Sequence, residues 1–326
     1  ALQQDHRSTA APSHHGSVDP PFSLDPALAP PAWSTSLVPA QTGSRWFVTL
    51  GNRQVSSGPL GTALVGGHFD QVTVVTGGWI TTASDAQGRA TTSFHSEHQA
   101  DGGPAVWSVS GTTAGHAVNP AGTEVAVSVG GRPEVVTIAT GAVGSAAPFF
   151  RDAGVPAGWV GDDVYFNAAD GSLQTWHPSL GTGSTQSATT LLDTAHGIFA
   201  TRAGGGCIQV APGLAAAKSF SQCRYGTVRV APYSDDVLFV GGGRAEVVSA
   251  TTGEPEHVGL PDTGVLAAGW DNVAVVAVVR GYNQAYDAKA YVVRCVIDSD
   301  VCQTLTTVSG DDTRALVARY IESGRD

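Results

Sequence analysis

Seven short apolar segments rich in β-branched residues recur along the chain from about residue 45, and their spacing constrains the fold most. Apolar residues in successive segments lie 34 to 45 residues apart. An interval near 40 residues is typical of the four-stranded blade of a β-propeller, whose sheets stack to hide their apolar faces. The sequence therefore predicts an all-β protein, a β-propeller of seven four-stranded blades. The segments are Trp46–Leu50, Trp79–Ala83, Glu124–Val129, Asp163–Asn167, Gly197–Thr201, Val237–Val240 and Val273–Val279.

Glycine turns follow the apolar segments at a nearly constant offset. Gly141 lies sixteen residues after Val125, and Gly253 lies sixteen residues after Val237. Repeated hairpins require turns at repeated positions, and glycine reaches the backbone conformations that tight turns need. The offset therefore indicates that the segments occupy equivalent places in one repeating unit.

The segment 119–127, continuing through 135–141, resembles one blade of the WD40-like and TolB-like propellers. Those blades carry a Pro-Asp-Gly-type turn before one strand and a Thr-Gly turn after the next, and Asp235–Gly253 is similar. The resemblance covers roughly residues 110–310 and lacks a repeated Trp-Asp dipeptide, since the lone Trp270-Asp271 lies in a different place. The resemblance implies a propeller architecture, and it identifies no active-site residues in this chain.

The C-terminal run Arg314–Tyr320 follows the last hairpin, where the innermost strand of a further blade would begin. We expect this run to complete the first blade together with residues 45–66, because closing the ring hides sheet edges that would otherwise be exposed. A short C-terminal helix over 313–326 is the alternative.

Residues 1–44 differ from the rest because they hold seven of the 18 prolines. Such a segment buries little apolar surface and resists regular structure. We interpret it as a disordered linker that precedes a propeller domain over 45–326. The chain begins at Ala1 without a Met, so we expect that a signal peptide or a membrane anchor has been removed.

The four cysteines form two local pairs. If a two-residue hairpin loop lies at 298–299, Cys295 and Cys302 are directly opposite each other, within or close to disulfide reach. Cys207 and Cys223 flank a turn in the same way. We therefore predict two disulfides and an extracytoplasmic location, secreted or anchored on the outer face of a bacterial envelope. Four free buried thiols are the alternative.

The charge balance limits the partners. The chain carries 17 basic and 28 acidic residues, a net charge of −11, and no stretch clusters Lys or Arg. Nucleic acids and anionic membrane surfaces are recognised through basic patches, so we expect neither as a partner. We expect a monomer that binds a protein, a peptide or a glycan.

Two loops carry candidate binding residues. The first interrupts the last blade, and its aromatic and amide side chains suit recognition of a ligand by stacking and hydrogen bonding: Tyr282, Asn283, Gln284, Tyr286 and Asp287. The second has the densest set of possible metal ligands: His95, Glu97 and His98. For the first loop, the alternative is a plain connecting loop. For the second, it is a solvated insertion loop, because a strand would point positions 95 and 98 to opposite faces.

No nucleophile elbow, His-Glu-x-x-His motif or phosphate loop occurs in the sequence. We therefore expect a non-enzymatic interaction domain without a cofactor, whose central channel is lined by side chains that do not titrate. One alternative is a secreted propeller hydrolase or lyase that acts on polysaccharide or peptide, which would bring three or more titratable side chains together at the centre of the ring. The other is a purely structural part of an envelope complex, which a large apolar patch on the rim would indicate.

Overall fold

The structure is a computed structural model. It describes residues 47–50, 53–56, 62–64, 69–96, 105–146, 152–186, 189–203, 206–214, 220–223, 226–271, 274–282, 288–299, 302–309 and 315–321. These residues form strands, turns and bends, with no helix among them. No helix long and apolar enough to cross a membrane occurs in this part of the chain.

The described strands form seven antiparallel blades of four strands, of which five are separate sheets and two, blades 2 and 3, are joined into one larger sheet by a bridge between Thr112 and Val129. Blade 1 contains β1 (Phe47–Leu50), β2 (Arg53–Ser56) and β3 (Thr62–Leu64). Blade 2 contains β4 (Gln71–Val75), β5 (Gly78–Ser84), β6 (Ala90–Ser96) and β7 (Trp107–Thr112). Blade 3 contains β8 (Ala117–Val118), β9 (Glu124–Val129), β10 (Arg132–Thr137) and β11 (Val143–Ala146). Blade 4 contains β12 (Val155–Val160), β13 (Asp163–Asn167), β14 (Leu173–His177) and β15 (Thr182–Gln186).

Blade 5 contains β16 (Thr189–Ala195), β17 (Ile198–Ala203), β18 (Ile208–Pro212) and β19 (Phe220–Gln222). Blade 6 contains β20 (Thr227–Val230), β21 (Asp236–Gly241), β22 (Arg244–Ser249) and β23 (Pro255–Glu256). Blade 7 contains β24 (Val265–Trp270), β25 (Ala274–Tyr282), β26 (Ala288–Val296) and β27 (Cys302–Ser309). The C-terminal segment supplies β28 (Ala315–Val317), which is the inner strand of blade 1, and β29 (Arg319–Tyr320).

The seven segments singled out in the sequence are the second strands of the seven blades, so the predicted propeller is confirmed. Their β-branched residues point alternately to the two faces of each sheet, and both faces are covered by neighbouring blades. In β9, for example, Val125, Ala126 and Val127 are all fully buried. The predicted turn glycines Gly141 and Gly253 have φ of 71° and 76°, a region that other residues rarely adopt.

Buried apolar side chains of the described residues form seven clusters, one between each pair of neighbouring blades. A row of seven blades with free ends would have six such interfaces. The seventh lies between blades 7 and 1, where Val48 and Val317 pack against Val276, Val278 and Val292. The stacking of apolar sheet faces is therefore continuous around the ring.

The C-terminal segment closes the ring, as predicted, and it does so as strand and not as helix. Val317 of β28 lies opposite Val48 of β1 in an antiparallel ladder. The chain then crosses to blade 2, where β29 runs parallel to β4 with Arg319 opposite Thr73. One short segment thus completes blade 1 and adds a strand at the inner edge of blade 2.

Both predicted cysteine pairs are formed. Cys295 and Cys302 are direct partners in the ladder of β26 and β27, with Cα atoms 4.2 Å apart. Cys207 and Cys223 lie beside the paired strands β18 and β19, with Cα atoms 4.0 Å apart. Each bridge joins the third strand of a blade to its outer strand. An outer strand has one paired neighbour, so a covalent link there opposes fraying.

The repeated blades give the ring two distinct faces. We call the face where the inner strands begin the start face, and the face where they end the end face. Connections between blades and turns from second to third strands lie on the start face. Turns from first to second strands and from third to fourth strands lie on the end face.

Candidate functional site

Side chains of one blade hydrogen-bond the backbone of a neighbouring blade at five successive interfaces, at the first four to the following blade and at the fifth to the preceding one. The Gln71 side chain makes two such bonds to His116, and the Asn167 side chain makes two to Leu191, at 2.7 to 3.0 Å. Each side-chain amide thereby donates to the C=O and accepts from the N–H of one residue, as the backbone of a paired strand would, and satisfies these backbone groups. The five pairs are Gln71 with His116, Ser128 with Ala153, Asn167 with Leu191, Asp193 with Val230, and Trp270 with Arg229.

Three inner strands carry a β-bulge in their upstream half. The register shifts between Pro156 and Gly158 in β12, between Leu191 and Asp193 in β16, and across Leu266 in β24. A bulge adds one residue to a strand and changes the direction of the side chains that follow. In β16 the carboxylate that follows the bulge, Asp193, lines the central channel.

Asp193 and Arg319 form an ion pair across the channel. Arg319 lies beside blade 2, whereas Asp193 belongs to blade 5. The Arg319 guanidinium donates hydrogen bonds to Asp193 Oδ1 and to the carbonyl of Thr194, and Asp193 Oδ2 accepts the backbone N–H of Val230 at 2.8 Å. The Asp193 side chain is 2% exposed. The C-terminal strand is therefore held to the opposite side of the ring by an ion pair whose carboxylate is buried and whose guanidinium is partly buried.

A cavity of about 200 Å³ lies in the channel, and its described lining carries four charged side chains: Asp70, Asp193, Arg229 and Arg319. The expectation of a lining without titratable groups is therefore wrong. The enzyme alternative required three or more titratable side chains at the centre of the ring, and the lining meets that number. However, two of the four are arginines, which stay protonated at neutral pH, and Asp193 is held in its ion pair. Asp70 is exposed and accepts a hydrogen bond of 2.6 Å from Ser84. The lining is better suited to holding charge than to exchanging protons.

His116 lies in a buried polar network between blades 2 and 3. Its ring is 1% exposed, with Nδ1 2.8 Å from Thr82 Oγ1 and Nε2 2.9 Å from Thr73 Oγ1. Hydroxyl contacts continue from Thr82 through Thr92 to Thr112 across blade 2. Burial lowers the pKa of His116 to about 3, and the positive charge of Arg319 adds to this effect. The imidazole is neutral in the folded protein.

This buried imidazole makes stability depend on pH. Between about pH 6.5 and pH 3 the unfolded chain binds a proton at His116 and the folded chain does not, so the stability falls as the pH falls. We expect wild type to lose about 1.4 kcal/mol per pH unit from this group between about pH 6 and pH 4. His116→Gln, which keeps a donor and an acceptor, removes that part of the slope. Urea unfolding at a series of pH values measures the difference, and equal slopes for both proteins would contradict the assignment.

The predicted metal ligands lie partly outside the described residues. His95 is on β6, with Nε2 3.2 Å from Thr81 Oγ1 and its ring stacked on Trp79 at a centroid distance of 5.7 Å. Burial lowers the pKa of His95. Glu97 and His98 fall outside the described residues, which contain no group of three metal-ligating side chains. A metal site at these three residues remains a prediction.

The predicted ligand residues begin at the last residue of β25 and continue in the sequence toward β26. Tyr282 is the last residue of β25 and pairs with Ala288. The remaining four residues, Asn283, Gln284, Tyr286 and Asp287, fall outside the described residues. Ligand binding by this loop also remains a prediction.

Exposed large apolar side chains collect on the end face. Of the five among the described residues, four lie at turns between third and fourth strands, and the fifth, Val155, begins an inner strand on the start face. Three of the four belong to consecutive blades: Val106 in blade 2, Val143 in blade 3 and Leu180 in blade 4, which are 46, 54 and 68% exposed. We call these three residues the end-face patch. The sequence signal for it was an apolar residue inside a polar turn, as in Pro178-Ser179-Leu180-Gly181.

A groove of about 330 Å³ lies beside the patch, between blades 3 and 4. Pro120 and Pro178 form part of its walls, together with Trp159, whose indole N–H donates to the carbonyl of Gly161 at 3.1 Å. Its charged lining residues are the carboxylates Glu124 and Asp162. The groove therefore combines apolar walls with negative charge.

At the edge of this groove a histidine lies between a serine and an aspartate: His177 is between Ser179 and Asp162. Ser179 Oγ is 3.1 Å from His177 Nδ1, and His177 Nε2 is 3.9 Å from Asp162 Oδ2. The second distance exceeds that of a hydrogen bond, and Asp162 is 85% exposed. The serine and the histidine are two residues apart in one turn, so their contact is local. This geometry does not support nucleophilic catalysis by Ser179.

No family model matches the sequence, and no curated protein matches it. Among solved structures, a chain of a mitotic checkpoint complex aligns with a TM-score of 0.52 and 9% identity, over 78% of this chain and 82% of that chain. The β-propeller domain of Myceliophteria thermophila Cps50 (Swd1) aligns with a TM-score of 0.50 and 10% identity, over 76% and 89%. BamB from Moraxella catarrhalis aligns with a TM-score of 0.45 and 13% identity, over 81% and 84%. The alignment with the Cps50 (Swd1) domain thus supports a β-propeller architecture and nothing beyond the fold.

Proposed function

We propose that this protein is a non-enzymatic, extracytoplasmic interaction domain that binds a protein partner through the end face of blades 2 to 4. The observation that carries the proposal is the end-face patch of Val106, Val143 and Leu180. Single exposed apolar residues are ordinary on protein surfaces, but their concentration on one face is typical of interaction sites. Residues 1–44 would connect the domain to the membrane or the cell wall.

The two disulfides support the extracytoplasmic location. Such bonds persist in oxidising compartments and are rare where thiols are kept reduced. The net charge of −11 is also consistent with a soluble domain that repels anionic lipid. In this arrangement the rigid ring presents its turns, and the Pro-rich leader sets how far the domain reaches.

The chemistry of the groove suggests the partner. Its apolar walls would accept an apolar side chain, and the carboxylates of Glu124 and Asp162 would attract a basic one. We therefore expect a protein segment in which Lys or Arg lies beside an aliphatic or aromatic residue. Part of the attraction is electrostatic, so the affinity would fall as the salt concentration rises.

Photo-crosslinking identifies the partner and tests the proposal. A p-benzoylphenylalanine at position 180, introduced into the full chain in its native cells, is expected to capture one protein of the envelope or the extracellular space. The same probe at position 155, on the start face, is expected not to capture it. Capture of the same protein from position 155 alone, or of a cytoplasmic protein from position 180, would overturn the proposal.

The captured partner is then purified and its binding is measured by calorimetry. We expect Leu180→Asp and Val143→Asp each to weaken binding about tenfold or more, because each places an unpaired charge in an apolar contact. The matched control is Val296→Asp, which makes the same change in a turn of the same type on blade 7. Equal affinities for wild type and the two patch variants would contradict the proposed surface.

A further inference from the structure

The buried carboxylate in the central channel has two guanidiniums beside it. Asp193 is paired with Arg319, and its second oxygen accepts the Val230 N–H. Arg229 lines the same cavity from the inner strand of blade 6. Its neighbours Val228 and Val230 pack into the core between blades 5 and 6, so the alternation of the strand turns Arg229 away from that core. In the deeper part of the cavity two guanidiniums therefore share the Asp193 carboxylate, whereas Asp70, the other carboxylate of the lining, is exposed and accepts a hydrogen bond from Ser84.

Arg229 is partly buried and has no carboxylate partner of its own among the described residues. Among the described residues, the charged groups that act on it are Asp193 and Arg319, which oppose each other. Burial lowers the pKa of the Arg229 guanidinium, and the charge of Arg319 lowers it further. No ion pair of the described chain joins Arg229 to a carboxylate. A charge that is partly removed from water and has no close partner is unfavourable, so the site favours an anion.

We propose that the central cavity binds a small organic carboxylate, with Arg229 as the residue that holds it. A guanidinium presents two parallel N–H groups that match the two oxygens of a carboxylate. The two arginines and two aspartates of the lining leave no net charge, so the cavity suits a monoanion beside Arg229 better than the nearly divalent phosphate group. The cavity volume of about 200 Å³ is below that of sites for drug-sized molecules and suits an acid of sugar size or smaller.

The geometry gives the ligand one route into the site. The cavity is lined by Gln71 and Val155, which begin inner strands on the start face, and by Arg319 and Asp193 deeper in the channel. The strand β29 and the Arg319 ion pair occupy the channel below it. The carboxylate would therefore enter from the start face, past the exposed Asp70, and stop at Arg229. This site is separate from the end-face patch.

Calorimetry with named probes tests the proposal on the full chain. Sodium acetate and sodium glucuronate are compared with inorganic phosphate and with uncharged glucose at matched ionic strength. We expect acetate and glucuronate to bind, glucose not to bind, and phosphate to bind more weakly. Arg229→Gln is expected to weaken glucuronate binding tenfold or more, whereas the exposed-arginine control Arg89→Gln leaves it unchanged. Tighter binding of phosphate, or no binding of any anion, would overturn the proposal.

Two further measurements separate a binding role from a structural one. In chloride buffer, Arg229→Gln is expected to raise the melting temperature, because it removes a charge in the cavity that has no ion-pair partner. A lower melting temperature would show that Arg229 supports the fold, and it would contradict the proposal. A chain that ends at Ile321 is expected to bind glucuronate as the full chain does. If binding appears only in this shorter chain, residues 322–326, which include the carboxylates of Glu322 and Asp326, fill the cavity, and the proposal of an external ligand fails.

Discussion

A chain that ends at residue 309 is expected to lose the native fold, because the missing segment completes the ring. Without β28, the edge of β1 is unpaired and Val48 and Val276 lose their contacts with Val317. Without β29, Asp193 loses Arg319. Burial of one valine contributes about 1.5 to 3 kcal/mol, and loss of one partner of a buried ion pair costs about 3 to 5 kcal/mol. Together these losses approach the whole stability of an ordinary domain.

Urea unfolding followed by tryptophan fluorescence measures this effect. Wild type is expected to unfold in a cooperative transition, and the truncated chain to show none or to aggregate through its exposed edge. The control is a chain that ends at Ile321, which keeps both strands and is expected to unfold as wild type does. A chain ending at 309 with the transition of wild type would show that the C-terminal segment does not close the ring.

Replacement of Arg319 by Ala is expected to destabilise the protein by about 3 kcal/mol. The change leaves the Asp193 carboxylate buried with the Val230 N–H as its remaining partner. The expected cost lies at the low end for a broken buried pair, because Arg229 lines the same cavity and can compensate in part. The midpoint of urea unfolding reports the loss.

The matched control for this variant is Arg89→Ala. Arg89 also pairs with an aspartate, Asp85, but the two side chains are 73% and 38% exposed. Exposed pairs contribute little, so we expect a change below about 1 kcal/mol. A similar loss in both variants would mean that the Asp193–Arg319 pair contributes no more than a surface contact. Such a result would remove the reason to regard Arg319 as the anchor of the closing strand.

The features that the sequence predicted correctly depend on local chemistry. The apolar run at Val125–Val127 and the turn at Gly141 reflect strand and turn preferences that act over a few residues. The disulfide between Cys295 and Cys302 follows from hairpin geometry over eight residues, and Asp298 in its turn has a φ of 58°. Closure by the C-terminal run was also predictable, because an open ring would leave a sheet edge unpaired.

The features that the sequence did not predict depend on contacts between distant residues. Asp193 and Arg319 are 126 positions apart, and nothing near either residue indicates the other. The bulge at Leu192, which directs Asp193 into the channel, depends on the register of two strands rather than on a residue type. The expectation of a channel lined by non-titrating residues failed for this reason. The end-face patch also required knowledge of which turns share a face.

The most direct test of the closed ring is a cross-link between its two ends. In the double variant Thr49→Cys and Leu316→Cys, the new cysteines occupy directly opposite positions of β1 and β28. We predict that mild oxidation joins them within one chain, as shown by non-reducing peptide mapping, and that a control with Thr49→Cys and Thr185→Cys on blade 4 forms no such link. Positions 49 and 316 that stay reduced, or that join two different chains, would contradict a propeller closed by its own C-terminus.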